Sequence, residues 1–152
     1  MIIDSLTKVC AAQAFTAAAV SLSSIDLGTP GGLGTPPKRV LGAGEPMTFA
    51  FTTDVAASCT TVKLEVIMAT DAALTAGIVV LVEQTRLAAD FAAGSINDLT
   101  LPKSPPVAGY LRFLGVRATP VGGAATVTLS AWLTDYHMVS PAFLAYAKNY
   151  TP

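Results

Sequence analysis

An all-β fold, an antiparallel β-sandwich or barrel, is predicted for this 152-residue chain by three observations. Several short stretches alternate apolar and polar residues, the period of a strand with one buried face. Gly, Pro, Asp and Asn stand between those stretches, where the backbone must reverse. Seven or eight strands result, at the close spacing of sandwiches and barrels. A chain of this length fits one domain, residues 1–152, and buries most of its apolar surface without disulfides or metal.

The elements follow in order. Residues 1–20 contain "LTKVCAAQAFTAAAV". Its alanines suit a helix, whereas Phe15, Thr16 and Val20 suit an extended N-terminal arm, and the arm is preferred. "VSLSSIDL" is a short strand candidate, and "TPGGLGTPP" at residues 29–37 is a loop by composition. In "EPMTFAFTTD", Met47, Phe49, Phe51 and Thr53 share one face and Thr48, Ala50 and Thr52 the other. "TTVKLEVIMAT" sets Val62, Leu64, Val66 and Met68 against Lys63, Glu65 and Ile67.

"AGIVVLVEQTRL" is β-branched throughout its centre and predicts a strand buried on both faces, and "NDLTLP" a shorter one. "YLRFLGVRATPVGGAATVTLSAWLT" then predicts a hairpin. Pro120 ends its first arm and Gly122 and Gly123 supply the reversal. In its second arm Val127, Leu129, Ala131 and Leu133 oppose Thr126, Thr128, Ser130, Trp132 and Thr134. The strand pattern stops after Asp135, leaving an aromatic C-terminal tail over residues 136–152.

Reactive chemistry is sparse. Nine Lys and Arg against ten Asp and Glu leave a net charge of −1. The basic residues are scattered, so nucleic acid and anionic membrane are not expected partners. No apolar run reaches the roughly 18 residues of a membrane span. "MIIDSLTKVCAAQAF" lacks the basic start of a signal peptide. Cys10 and Cys59 have no metal-site spacing and read as free thiols. His137 is the only histidine and reads as a plain tail residue, so no two-histidine metal site exists. "GGLG" and "GAGE" read as turns, not phosphate loops. Asp54, Asp71, Asp90 and Asp98 each sit beside a turn and read as turn-bonding residues. No enzyme activity and no cofactor are expected.

Aromatic and arginine side chains remain as contact candidates. Trp132 sits by parity among hydroxyl residues, covered by the second sheet or the tail, or else anchoring an interface. Arg112 and Arg117 fall on opposite strand faces and therefore do not grip one small anion together. Each is expected to pair with a carboxylate or reach a partner. Phe15 in the arm and Tyr136, Phe143, Tyr146 and Tyr150 in the tail are large groups outside the regular strands.

The phrases "AQAFTAAAVS", "IDLG", "LGAGEP", "ATDAAL", "LTLP", "YLRFLGVR" and "AYAKNY", in that order over most of the chain, resemble the capsid cement, or decoration, proteins of tailed bacteriophages. The resemblance implies a jelly-roll-like antiparallel β-sandwich on the outer surface of a virion capsid, bridging copies of the major capsid protein. It implies no active-site residue. The chain is then a structural virion protein made in the host cytoplasm. A homo-oligomer is expected, a dimer slightly ahead of a trimer, with Phe15, Arg112, Arg117, Trp132, Tyr136, Phe143, Tyr146 and Tyr150 as interface residues. The alternative is a host-surface or glycan-binding β-sandwich module of a phage spike or fibre.

Overall fold

The computed structural model describes residues 7–28, 47–102 and 111–135. Among these residues nine strands form: β1 (Lys8–Phe15), β2 (Ala19–Val20), β3 (Ile25–Asp26), β4 (Met47–Val55), β5 (Thr61–Ala69), β6 (Val79–Leu87), β7 (Ile96–Thr100), β8 (Phe113–Val121) and β9 (Val127–Asp135). A single 3-10 turn at Ala88–Phe91 precedes β7. One sheet has the order β1-β9-β4-β7; the other has β2-β8-β5-β6, with β3 also on β8. The pairings are antiparallel. The molecule is an antiparallel β-sandwich.

Strand parity built its core. Phe49 and Phe51 of β4, Val62, Leu64, Val66 and Met68 of β5, and Val127, Leu129, Ala131 and Leu133 of β9 meet in one buried cluster between the sheets. Each fully buried side chain of this size contributes roughly 1.5–3 kcal/mol. The region expected as an N-terminal arm supplies part of this core. Lys8–Phe15 is an edge strand paired with β9, and Phe15 is completely buried. Alanine content favoured neither helix nor arm strongly; tertiary pairing decided for a strand.

Three expectations are corrected by the sheet topology. β8 and β9 do not form a hairpin, because β8 pairs with β5 in one sheet and β9 with β1 and β4 in the other. Residues 122–126 cross between the sheets instead, a gap of roughly 10 Å that five residues at about 3.3 Å each readily span. Gly122 and Gly123 still make the reversal, at φ of 84° and 63°. Pro120 does not end its strand: it is buried opposite Val62 and β8 runs on to Val121. And β6 is not buried on both faces. It is the half-exposed edge of its sheet, because β-branched composition reports strand propensity and not position in the sheet.

Two irregularities shape the outer faces. Four residues of β1, Cys10 to Gln13, oppose only the three from Ala131 to Leu129, and the bulge puts Ala12 at φ of 44°. Ala12 N–H donates to Ser130 Oγ at 2.8 Å, and Ser130 Oγ donates to Asp54 Oδ2 at 2.7 Å, which ties β1, β9 and β4 together. In the β5–β6 loop, Asp71 accepts bonds from Thr75 and Ala76, as expected of a turn carboxylate. The loop folds Leu74, at φ of 58°, onto the outer side of the second sheet. There it lies directly against Gly115, where any side chain would collide with it.

The sandwich is polar from end to end. Residues 16–18, 56–60, 88–95 and 122–126 close one end with short connections. Residues 7, 28, 47, 102, 111 and 135 lie at the other with the β5–β6 loop, since Met47 pairs with Asp135 and both Asp26 and Ala69 pair with Phe113.

Candidate interface surfaces

The outward face of the second sheet carries a charged row set by strand register. Glu65 of β5 pairs with Arg117 of β8 on one side and Glu83 of β6 on the other. Arg117 reaches Glu65 through two bonds of 2.6 and 2.8 Å, a bidentate fork. Lys63 Nζ lies 3.2 Å from Glu65 and 2.7 Å from Glu83. The Glu65 carboxyl is 3% exposed, yet it stays charged: the Arg117 bonds hold it below the usual glutamate range against the upward push of burial. Arg117 is thus committed inside the molecule.

Arg112 is likewise paired. Its guanidinium forks onto Asp26 at 2.9 and 2.8 Å and its Cζ sits 5.0 Å above the Phe113 ring. This pair is half exposed and lies at the end of the sandwich that holds the start of β8. The two arginines stand apart, as the strand parity required.

Trp132 belongs to neither the core cluster nor the solvent. Ala131 and Leu133 point inward, so Trp132 faces outward with Thr48 and Ala50, and all three are buried, Trp132 to 4% exposure. Its Nε1–H has no hydrogen-bond partner among the described residues. Phe15, by contrast, sits in the core of the free chain. Tyr136, Phe143, Tyr146 and Tyr150, together with His137, lie outside the described residues.

Among the described residues no three His, Cys, Asp or Glu side chains gather where a metal ion would bind. An open groove of about 280 Å³ beside β1 is lined by Lys8, Val9, Cys10, Ala11, Leu22 and Ser23. Polar groups do not converge in it as a small-molecule site needs. Both cysteines are free. Burial pushes the Cys10 thiol up to about 11, and Cys59 is raised in the same direction. Accordingly, a thiol reagent at neutral pH should label Cys59 in the native protein and Cys10 only after unfolding, read by mass spectrometry of tryptic peptides. Native labelling of Cys10 at the Cys59 rate would contradict the burial.

Sequence patterning passed over two features. Leu87 and Val121, 63% and 53% exposed, flank Thr61 in one row across β6, β5 and β8. Arg86 bonds Asn97 Oδ1 at 2.8 Å and the Asp98 carbonyl at 3.2 Å, clasping the β6 and β7 edges of the two sheets. An arginine inside a β-branched run was the available signal for the clasp.

The family model Bbp16 matches residues 9–133. The match opens in β1 and closes in β9, so it coincides with the sandwich. No curated protein matches the sequence.

Proposed function

The chain belongs to the Bbp16 family, and from that premise we propose that it is a capsid cement protein: a structural component of a tailed-phage virion that binds the outer surface of the shell and bridges neighbouring major capsid proteins. The sandwich on this reading is a jelly roll. Its strand order supports that, because β1-β9-β4-β7 and β2-β8-β5-β6 form the two sheets and the chain passes from one to the other between β4 and β5, β6 and β7, β7 and β8, and β8 and β9.

The observation that carries the reading is the polarity of the sandwich. Short connections close one end, while the start of β1 and the end of β9, where the aromatic tail begins, lie at the other. A cement protein needs a rigid body and reach from one side of it. Apolar groups at a chain end favour a surface that takes them up. One copy binding through such segments is modest; a copy that holds two shell subunits gains effective concentration.

Binding of purified protein to phage capsids stripped of it tests this. Full-length chain is expected to rebind at lattice positions visible by electron microscopy. A chain lacking residues 142–152 is expected to lose at least about tenfold in affinity with its melting temperature unchanged, since several apolar side chains at roughly 1.5–3 kcal/mol each are removed. No rebinding by the intact chain overturns the reading. A large melting drop in the shortened chain assigns the tail to its own sandwich.

A further inference from the structure

Connections that run over a protein surface are ordinarily polar. Those at the closed end of this sandwich are not. In residues 16–18, 56–60, 88–95 and 122–126 every residue except Cys59, Asp90 and Phe91 is Ala, Gly, Ser or Thr, and Asp90 alone is charged. Large apolar side chains stand around them: Val55, Leu87 and Val121 are 60%, 63% and 53% exposed, and Ile96 is 36% exposed. Ile96 lies opposite Thr52 on the outer side of the first sheet, while Leu87 and Val121 flank Thr61 on the outer side of the second. The apolar surface therefore wraps the end from one sheet to the other, the kind of patch that marks an interaction site.

This surface is also preformed. Ala57 N–H donates to the Phe91 carbonyl and Ala88 N–H to the Thr60 carbonyl, which joins residues 56–60 to the 3-10 turn. Ser58 N–H donates to the Thr126 carbonyl and Thr60 N–H to the Val121 carbonyl, which joins them to residues 122–126. Phe91, 0% exposed, pins the turn to the core. A surface ordered before contact loses little conformational freedom on binding.

We propose, resting on the capsid reading, that the closed end is a seat on the shell: it lies against an apolar patch of one major capsid protein that sets a lysine or arginine opposite Asp90, while the other end reaches a neighbouring subunit. The occupant follows from what bridging requires and from charge. A bridge needs two contacts set apart, and nine-residue strands separate the two ends by about 30 Å at roughly 3.3 Å per residue. The Asp90 backbone carbonyl accepts from the Asn97 amide, but its carboxylate has no hydrogen-bond or ion-pair partner among the described residues. An unpaired carboxylate inside an apolar contact is costly, so a partner that fits brings a cation. A second copy on the same patch brings another Asp90 instead, a like-charge approach. A bilayer surface favours Lys and Arg beside the apolar groups, and these connections have none.

The test measures rebinding of full-length chains to capsids stripped of the protein, with melting temperature and oligomeric mass followed for each. Leu87→Lys and Ala92→Lys put a charge on a strand and on a connection of this end, both at exposed positions, and Leu22→Lys, 80% exposed beside β1, is the control. The first two are expected to weaken rebinding at least about tenfold with melting temperature and mass unchanged, because a charge pressed into an apolar contact forfeits its hydration. The control should bind as the parent does, and Asp90→Lys should weaken binding more than Asp90→Asn. Parent and both lysine variants rebinding alike overturn this seat and leave the capsid reading standing; no rebinding by the parent overturns both. A changed oligomeric mass in the lysine variants makes the patch a contact between copies and overturns the proposal, as does a large melting drop in both.

Discussion

A Phe15→Ala chain is expected to lose about 3–5 kcal/mol of folding stability, the range for truncating a fully buried phenylalanine. Phe15 is 0% exposed and pairs with Val127 at the end of β1, inside the cluster that joins both sheets. Removing the ring leaves a cavity that neighbours held in two hydrogen-bonded sheets refill only partly. The melting temperature should fall on the order of 10 °C, and the urea midpoint should drop with an unchanged slope. A loss below about 1 kcal/mol would place Phe15 outside the structural core and restore it as an arm residue free for a partner.

Breaking the Glu65 fork is the second large effect. Arg117→Met keeps most of the side-chain volume but removes both guanidinium bonds, leaving a carboxylate that is 3% exposed with Lys63 alone. Removing one member of a buried pair costs about 3–5 kcal/mol, and the retained Lys63 contact argues for the lower limit. Replacing both members, Glu65→Leu with Arg117→Met, should recover most of that loss, because no charge is then left buried. A double variant no more stable than the single one contradicts this account. The pH dependence has a definite sign. The folded-state pKa of Glu65 is depressed, so its contribution is complete above the ordinary glutamate range and disappears as pH falls below it through the folded value. In Arg117→Met the depression shrinks, and stability between pH 5 and pH 3 should depend less on pH than in the parent, as followed by chemical denaturation at each pH.

How much was readable before the fold is best judged on particular strands. Alternation in β4, β5 and β9 assigned Phe49, Val62, Leu64, Val66, Leu129 and Leu133 to the core without error, because the two-residue period of a strand is a local property. The same parity put Arg112 and Arg117 on opposite faces and each did find a carboxylate. The contact surfaces were less legible. Phe15 looked like a loose arm residue because its neighbours are mostly alanine, and its strand partner, Val127, lies more than a hundred residues away. Trp132 was placed on the outward side, but its burial is not a property of strand parity.

The sequence by itself determined that this is an all-β chain, which residues turn inward on its long strands, and where the backbone reverses. Those features depend on side-chain period and on the φ preferences of glycine and proline, which act within a few residues. Only the tertiary structure decided which strands are neighbours. The segment from 111 to 134 reads as part of a hairpin and is in fact a crossing between sheets, and the β-branched run at Val79–Leu87 reads as buried on both faces and is, among the described residues, an edge strand. Strand pairing offers nearly the same backbone hydrogen bonds to every candidate partner, so the choice falls to the burial of side chains distant in sequence. A local pattern cannot carry that information, and in this chain it governs both the core and which strands lie at the sheet edges.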